Sequence, residues 1–397
     1  MELVGNIVVY IIMACAIAGA LASIFKEESE LGNQFVEGIN SIGSIFLPVA
    51  GIMAAAPFLS QLVSSVFGPL FETIGADPAM AATTFIAVDM GGYQLADILA
   101  STRESWIMAM ITGYMAGATL VFSIPVGLKM INKRDHKYLA LGVMSGIITI
   151  PIGVLVSSVF IAFTKPMIRE AISADGDALY QLAMNYGDIF KNLIPLVIIC
   201  VLIAVGLKFK PDAMIKGFSV FGKFIDSALK IIFVLCVVEY FTGVFSSVIG
   251  WWGFEPIVAD AIDQARALEV AGAIGMMLCG AFPMVYLIQK YLSRPLGKVG
   301  SKVGLSENAT AGILATAANA LALFAMSKDM KAEDKVKTFA FMVCGAFLIG
   351  DHLAFTANFQ PTLILPVMLG KFVAGAVAVV IATKIAVPKA KKLEELE

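Results

Sequence analysis

Runs of apolar residues long enough to cross a bilayer recur along almost the whole chain, and they limit what it can fold into. The hydrocarbon core takes about 20 helical residues to span. Segments of that length lie near 3–25, 36–67, 105–130, 138–163, 189–209, 227–249, 268–291, 337–357 and 362–387. Of the 397 residues, 59% are hydrophobic and 15% charged, where a soluble domain carries about 25% charged residues. The expected class is an all-α polytopic membrane protein, with the whole chain as one membrane domain. The first run follows Met1-Glu2, an acidic start unlike that of a secretory signal, so it reads as a retained span. A net charge of −2 gives no reason to expect a nucleic-acid partner. The five cysteines (Cys15, Cys200, Cys236, Cys279, Cys344) are scattered through apolar segments with no CxxC, which points to neither a disulfide framework nor a metal site. No cofactor is expected.

Two weaker segments, 79–100 and 308–327, have polar or glycine-rich interruptions: VDMGGY at 88–93 and TAAN at 316–319. Lys and Arg concentrate in cytoplasmic loops, and this bias decides whether these segments cross. The basic stretches are KMINKRDHK (129–137), KFKPDAMIKGFSVFGKF (208–224), KYLSRPLGKVGSK (290–302), KDMKAEDKVK (328–337) and PKAKK (388–392). If 308–327 crosses, two lysine-rich segments fall outside. If it is a re-entrant hairpin, every basic stretch is cytoplasmic. The expectation is therefore about nine spanning helices plus two re-entrant hairpins, with eleven spans as the alternative. The C-terminus is then cytoplasmic. The acidic KEESELGNQ (26–34) also falls inside, but acidic residues count little in this rule.

The two halves resemble each other. Glu37-x5-Gly43 answers Glu269-x5-Gly275, GPLFETIGADP (68–78) answers RPLGKVGSKVGLSE (294–307), and TGYMAGATLVF (112–122) answers CGAFLIGDHLAF (344–355). If the first hairpin enters from outside, the halves are inverted repeats. Such repeats, with broken helices meeting at the midplane, are a transporter architecture. The expected organisation is a first repeat at 1–163 with a hairpin at 77–103, and a linking span with an interfacial amphipathic helix (213–225) within 164–226. A second repeat follows at 227–387 with a hairpin at 306–328, and then a cytoplasmic tail at 388–397.

Ionisable residues at membrane depth are functional candidates by default. Here they are Asp89, Asp351, His352, Lys371 and Glu239, with Asn319 as a polar companion. Asp89, Asn319, Asp351 and His352 sit at or beside the expected helix breaks. Gly91 and Gly92 let the backbone leave helical geometry. A half-helix ending at a hairpin tip turns its negative dipole end toward the centre, and the carboxylates add to that sign. The expected ligand is a small cation. The aromatic rings of Tyr93, Tyr114, Phe122 and Phe355 offer cation–π contacts. Structural roles compete with this reading: Asp351 and His352 as mutual partners or as partners of Lys371, and Asp89 as a turn cap.

DMGGYQLA (89–96), VFSIPVGL (121–128), YLALGVMSGIITIPIG (138–153) and GDHLAF (350–355) resemble the bacterial ethanolamine-utilisation permease (EutH) family, and the resemblance runs from the first span to about Pro388. One departure is Ala320, where a second asparagine after Asn319 is expected. The resemblance implies uptake of ethanolamine across the bacterial cytoplasmic membrane. A primary ammonium, close in chemistry to a lysine head with a reference pKa of about 10.4, suits a site of carboxylate, amide and aromatic groups. On this reading Asp89 or Asp351 balances the ammonium, and Asn319, Thr356 or Asn358 meets the hydroxyl. His352 orients Asp351 or shuttles a proton. The expected set is Asp89, Gly91, Gly92, Tyr93, Phe122, Asn319, Asp351, His352, Phe355, Thr356 and Asn358. The expected mechanism is alternating access, with an elevator-like motion as one form of it, by a homo-oligomer, with a dimer favoured. Rival readings are a channel, or an ion-coupled carrier for another small amine or amino compound. An enzyme is not expected: the chain has two histidines, and neither a nucleophile–His–acid set nor HExxH occurs in it.

Overall fold

The computed structural model describes every residue except 27, 262, 303 and 397, and the backbone but not the side chain of 72. Those four positions, in the acidic 26–34 loop, before the seventh apolar run, at the approach to the second hairpin and at the end of the tail, lie outside the description. The described residues are mostly helical. Their only sheet is a pair of two-residue antiparallel strands, β1 (Met167–Ile168) and β2 (Tyr180–Gln181). The protein is thus an all-α membrane protein. Among the described residues, seven helical stretches are long and apolar enough to cross a bilayer: Glu2–Phe25, Glu30–Ala54, Arg103–Met130, Lys133–Thr164, Tyr186–Phe209, Ala267–Lys302 and Pro361–Glu394.

Helix α1 (Glu2–Phe25) leads to α2 (Glu30–Ala54), whose first turn is capped by Ser29 accepting from the Gly32 amide at 3.3 Å. The chain bends at Ala55, so the single run expected at 36–67 is α2 followed by a separate α3 (Ala56–Val66). Pro57 sits in the first turn of α3, where its missing N–H removes no intrahelical bond. After α4 (Gly68–Ile74) come two short helices, α5 (Ala79–Phe85) and α6 (Gly92–Leu99), which pack on each other across a broken turn. Neither reaches half a bilayer in length. Next comes α7 (Arg103–Thr112), an eleven-residue π-helical run at Gly113–Ser123, and α8 (Ile124–Met130). The break expected in 105–130 is this π run. Helices α9 (His136–Ile147) and α10 (Ile150–Thr164) complete the first half.

Two helices follow the β1–β2 segment. α11 spans Tyr186–Phe209, and α12 spans Pro211–Thr242 as one helix of 32 residues. At about 1.5 Å per residue α12 is about 48 Å long, more than a bilayer core. The stretch 213–225, expected as a separate interfacial helix, is the first part of this continuous rod. Asp226, Lys230 and Glu239 lie along its apolar half, which is why α12 is absent from the seven weakly charged spans. Helix α13 (Ala267–Lys302) also overruns its expected limit: the basic 290–302 stretch extends the helix and is not a loop.

The second pair of short helices, α14 (Glu307–Ala318) and α15 (Ala320–Ser327), breaks at Asn319 and packs back on itself. Helix α16 (Ala332–Gly345) stops, the chain runs irregularly through 346–350, and α17 (Asp351–Phe359) resumes. The chain ends with α18 (Ile364–Ile381) and α19 (Val387–Glu394). Buried side chains concentrate in α7, the π run, α9, α16 and α17. Helices α1, α11 and α12 present large apolar side chains outward: Ile17 is 63% exposed, Leu202 64% and Phe241 78%. In a bilayer those faces meet lipid. One buried ion pair pins the inner helices together: Lys335 Nζ lies 2.8 Å from Asp135 Oδ1, and both side chains are almost fully buried.

Candidate functional site

Each half contributes one interrupted backbone, and the interruptions meet at a cavity. In the first, the Met90 and Gly92 amides both donate to the Ala87 carbonyl, at 3.2 and 3.0 Å, making a tight turn that carries Asp89. Gly91 completes the turn at φ 97°, and a Cβ there would stand 2.7 Å from Ile52 Cβ. Conformation and space thus both demand glycine. In the second, Phe347 adopts φ 60°, which no side chain favours. The amides freed by the break are satisfied by the tip of α14: Phe347 N donates to Thr316 O at 3.1 Å and Ile349 N to Ala317 O at 2.8 Å. The α14 tip and the α16–α17 break therefore form one hydrogen-bonded unit. Those α14 carbonyls are occupied, so they are not the free negative helix end expected from sequence.

The cavity between these elements has a volume of about 560 Å³. Its inner end is lined by Asp89, Asp351, His352, Asn319, Phe122 and Phe347, and Glu37 and Ser41 of α2 also face it. At its other end stand Lys129, Asp226 and Lys230, all largely exposed. His352 is fully buried, and its Nε2 lies 4.0 Å from Asp89 Oδ2. Among the described residues, Asp89 Oδ1, Asp351 Oδ1 and both ring nitrogens of His352 have no hydrogen-bond partner. Buried polar atoms are almost always satisfied in native proteins, so this cluster is built to receive a ligand, water or a proton. Asn319 uses its Oδ1 to cap α15, accepting from the Leu321 amide at 2.8 Å, which leaves its NH₂ group for the cavity.

Five of the expected site residues (Asp89, Phe122, Asn319, Asp351 and His352) thus line the same cavity. The other six stand behind it. Gly91 and Gly92 shape the turn. Tyr93 and Phe355 belong to a column of rings leading away from the cavity: Phe122, Phe347, His352, Tyr114, Phe355, Tyr93 and Trp106, with successive centroids 4.7–6.0 Å apart. The Thr356 hydroxyl donates to His352 O at 2.7 Å and also bonds the Tyr114 hydroxyl at 2.7 Å. The Asn358 carbonyl accepts from Arg169 Nη1 at 2.6 Å. Lys371 is fully buried, and its ammonium donates to Tyr114 O inside the π run at 3.1 Å. It pairs with neither Asp351 nor His352. Glu239 is a local cap, its carboxylate accepting from the Phe245 amide at 2.9 Å.

The far end of the ring column is closed by a polar latch that sequence reasoning missed. Gln360 accepts from the Arg169 amide at 3.1 Å, and its NH₂ donates to Arg169 O and to the Tyr93 hydroxyl, each at 2.9 Å. Thr362 Oγ1 donates to Met167 O at 2.6 Å, and Arg103 donates to Glu170 O at 3.0 Å. Helix α7 starts beside this latch, and the chain running on from it reaches the cavity's open end at Lys129. Cavity and latch therefore lie at opposite ends of the same helical path. Glu37 was legible only as a repeat marker, and nothing local in the α2 sequence shows that it faces the carboxylates. Gln360 and Arg169, 191 residues apart, give no sequence signal of their partnership.

Comparison with known proteins bears on the whole chain. The family model described as "Ethanolamine utilisation protein, EutH" matches residues 4–385. A Listeria monocytogenes protein named "Probable ethanolamine permease EutH" is 40% identical over 390 residues, covering 98% of this chain and 96% of the relative. Proteins with the same name from Salmonella typhimurium and Escherichia coli are 38% and 37% identical, each over 90% of this chain and 86% of their own length. No solved structure matches. A family match across nearly every helix described above, together with full-length relatives at this identity, establishes that the chain belongs to the EutH family.

Proposed function

We propose that this protein carries ethanolamine, as its ammonium, across the bacterial cytoplasmic membrane by alternating access. The observation that carries the reading is the cavity. It is open at one end and closed at the other by a column of rings, and at its closed end two carboxylates, one from each interrupted backbone, face the same space. A cation is the ligand that such a site stabilises. The names of the full-length relatives supply the substrate, and its chemistry fits. The ammonium offers three donors to Asp89 and Asp351, and the hydroxyl both donates and accepts, meeting the free NH₂ of Asn319. Phe122, one of the four rings expected to contact the ammonium, lines the cavity together with Phe347. The lysine-rich stretches support a cytoplasmic side for Lys129 and the C-terminus, and on this reading the cavity faces inward. Opening outward then requires the Gln360 latch and the ring column to part.

In this mechanism the two interrupted units, α5–α6 with α7–α8 and α14–α15 with α16–α17, are inverted repeats that move together. The remaining helices form a scaffold and a homodimer interface. The test is uptake of labelled ethanolamine into proteoliposomes by wild type, Asp89→Asn and Asp351→Asn, each checked for folding. Saturable uptake, counterflow against unlabelled ethanolamine, and loss of both in one variant are expected. Ethylamine lacks the hydroxyl and should compete more weakly, and glycine, which adds a carboxylate, not at all. Normal transport by both variants would remove the carboxylates from the site. Unsaturable flux with single-channel current would replace the carrier with a channel.

A further inference from the structure

The cluster at the cavity's closed end carries a negative charge that an ammonium offsets only while it is bound, and this bears on how an empty carrier returns. This inference rests on the transport reading above. The charged and titratable groups around the cluster come from every element packed there. Asp89 comes from the first turn, Asp351 and His352 from α17, and Lys371 from α18 through the Tyr114 carbonyl. The Tyr114 hydroxyl is held by Thr356, the Cys344 thiol lies near Thr149, and Glu37 reaches the wall from α2. Lys129, Asp226 and Lys230 stand at the open end, where water screens them.

With Lys371 charged and the imidazole neutral, Asp89, Asp351 and Lys371 leave one net negative charge at the deep end. Substrate neutralises it. In the open cavity water reaches Asp89, whose side chain is 26% exposed; when the empty site closes for its return, the cluster carries an uncompensated charge out of water, and an unpaired buried charge is strongly disfavoured. The structure also shows a group fit to replace the ammonium: the His352 ring, with both nitrogens unpartnered and Nε2 4.0 Å from Asp89 Oδ2. A protonated His352 facing Asp89 reproduces the charge of bound substrate within the cluster.

We propose that the Asp89–Asp351–His352 cluster binds a proton in place of the ammonium on the empty return, so that one ammonium enters for each proton that leaves. The proton belongs to the cluster as a unit, shared among groups that titrate together. The balance is one positive charge in and one out, so net transport is electrically silent and equals uptake of the free base.

The wild-type protein in proteoliposomes tests this, with protein-free vesicles giving the background leak of free base. Labelled ethanolamine counterflow, with no ion gradient, reports the loaded carrier alone. Its absence would defeat the transport reading itself. With counterflow present, an inside-negative potassium diffusion potential at equal pH should leave net protein-dependent uptake unchanged. A lumen about one pH unit more acidic should drive about tenfold accumulation at the protein-dependent rate. A pyranine signal should show lumenal protons leaving as ethanolamine enters. Accumulation driven by the potential, with no response to the pH gradient, would overturn the exchange while leaving ethanolamine transport intact.

Discussion

Replacing Gln360 with leucine isolates the latch from the cavity. The side chain is 1% exposed and makes three hydrogen bonds, to the Arg169 amide, the Arg169 carbonyl and the Tyr93 hydroxyl. Leucine keeps the volume close and removes all three. A neutral hydrogen bond contributes about 1 kcal/mol net, so the loss is about 3 kcal/mol. That free energy acts on the closed arrangement of this face, because once the latch parts water satisfies the same groups. The open population should rise on the order of 100-fold. The assay is labelling of Asn358→Cys by a membrane-impermeant maleimide, in a background where Cys15, Cys200, Cys236, Cys279 and Cys344 are replaced. Asn358 is 7% exposed, on the latch side of the ring column. Labelling from the side away from Lys129 should speed up by that factor in the Gln360→Leu background, with thermal unfolding checked in parallel. Equal labelling rates in a folded protein would show that the latch does not hold this face closed.

Other expectations follow from the same geometry. Lys335→Met removes the 2.8 Å partner of buried Asp135 and leaves it only the exposed Arg134 at 4.0 Å, which should cost about 3–5 kcal/mol, read as a lower Tm in detergent; Lys335→Met with Asp135→Asn should recover much of the loss, and failure to recover would show that the pair is not the cause. A Cβ on Gly117 would run into the Ile86 carbonyl and stand 2.7 Å from Thr83 O, so Gly117→Ala must push the π run off the first hairpin, at about 1–3 kcal/mol. An unchanged Tm would mean that the hairpin yields freely. At the start of α16, the hydrogen bond from Lys391 holds the Glu333 carboxyl below its ordinary value. Its contribution is therefore complete above the ordinary glutamate range and is lost as pH falls through the lowered value. The Tm difference between wild type and Glu333→Gln should be present at neutral pH and shrink in acid; a difference independent of pH would exclude the pair.

Much of this molecule follows from local chemistry. The bilayer sets a length that the apolar runs either meet or miss, so the class and the seven helical stretches long and apolar enough to span were legible without coordinates. The interruptions at VDMGGY, at Asn319 and before Asp351 were legible too, because glycine, asparagine and ionisable residues stand out against an apolar background. The limits of α12 and α13 were not. A basic stretch beyond the membrane carries the same residues whether it is loop or helix, and only its continuity with the buried part decided in favour of helix. The site divided on the same principle. Residue type marked Asp89, Asn319, Asp351 and His352 as costly to bury, and the fold brings them to one cavity. Tyr93, Phe355 and Thr356 have equally suggestive side chains, but α6 and α17 turn them into the seal behind the cavity. The Gln360–Arg169 latch and the placement of Lys371 against the Tyr114 carbonyl join residues about 190 and 257 positions apart. Such pairings are set by how helices pack in three dimensions, which the period and composition of one chain do not record.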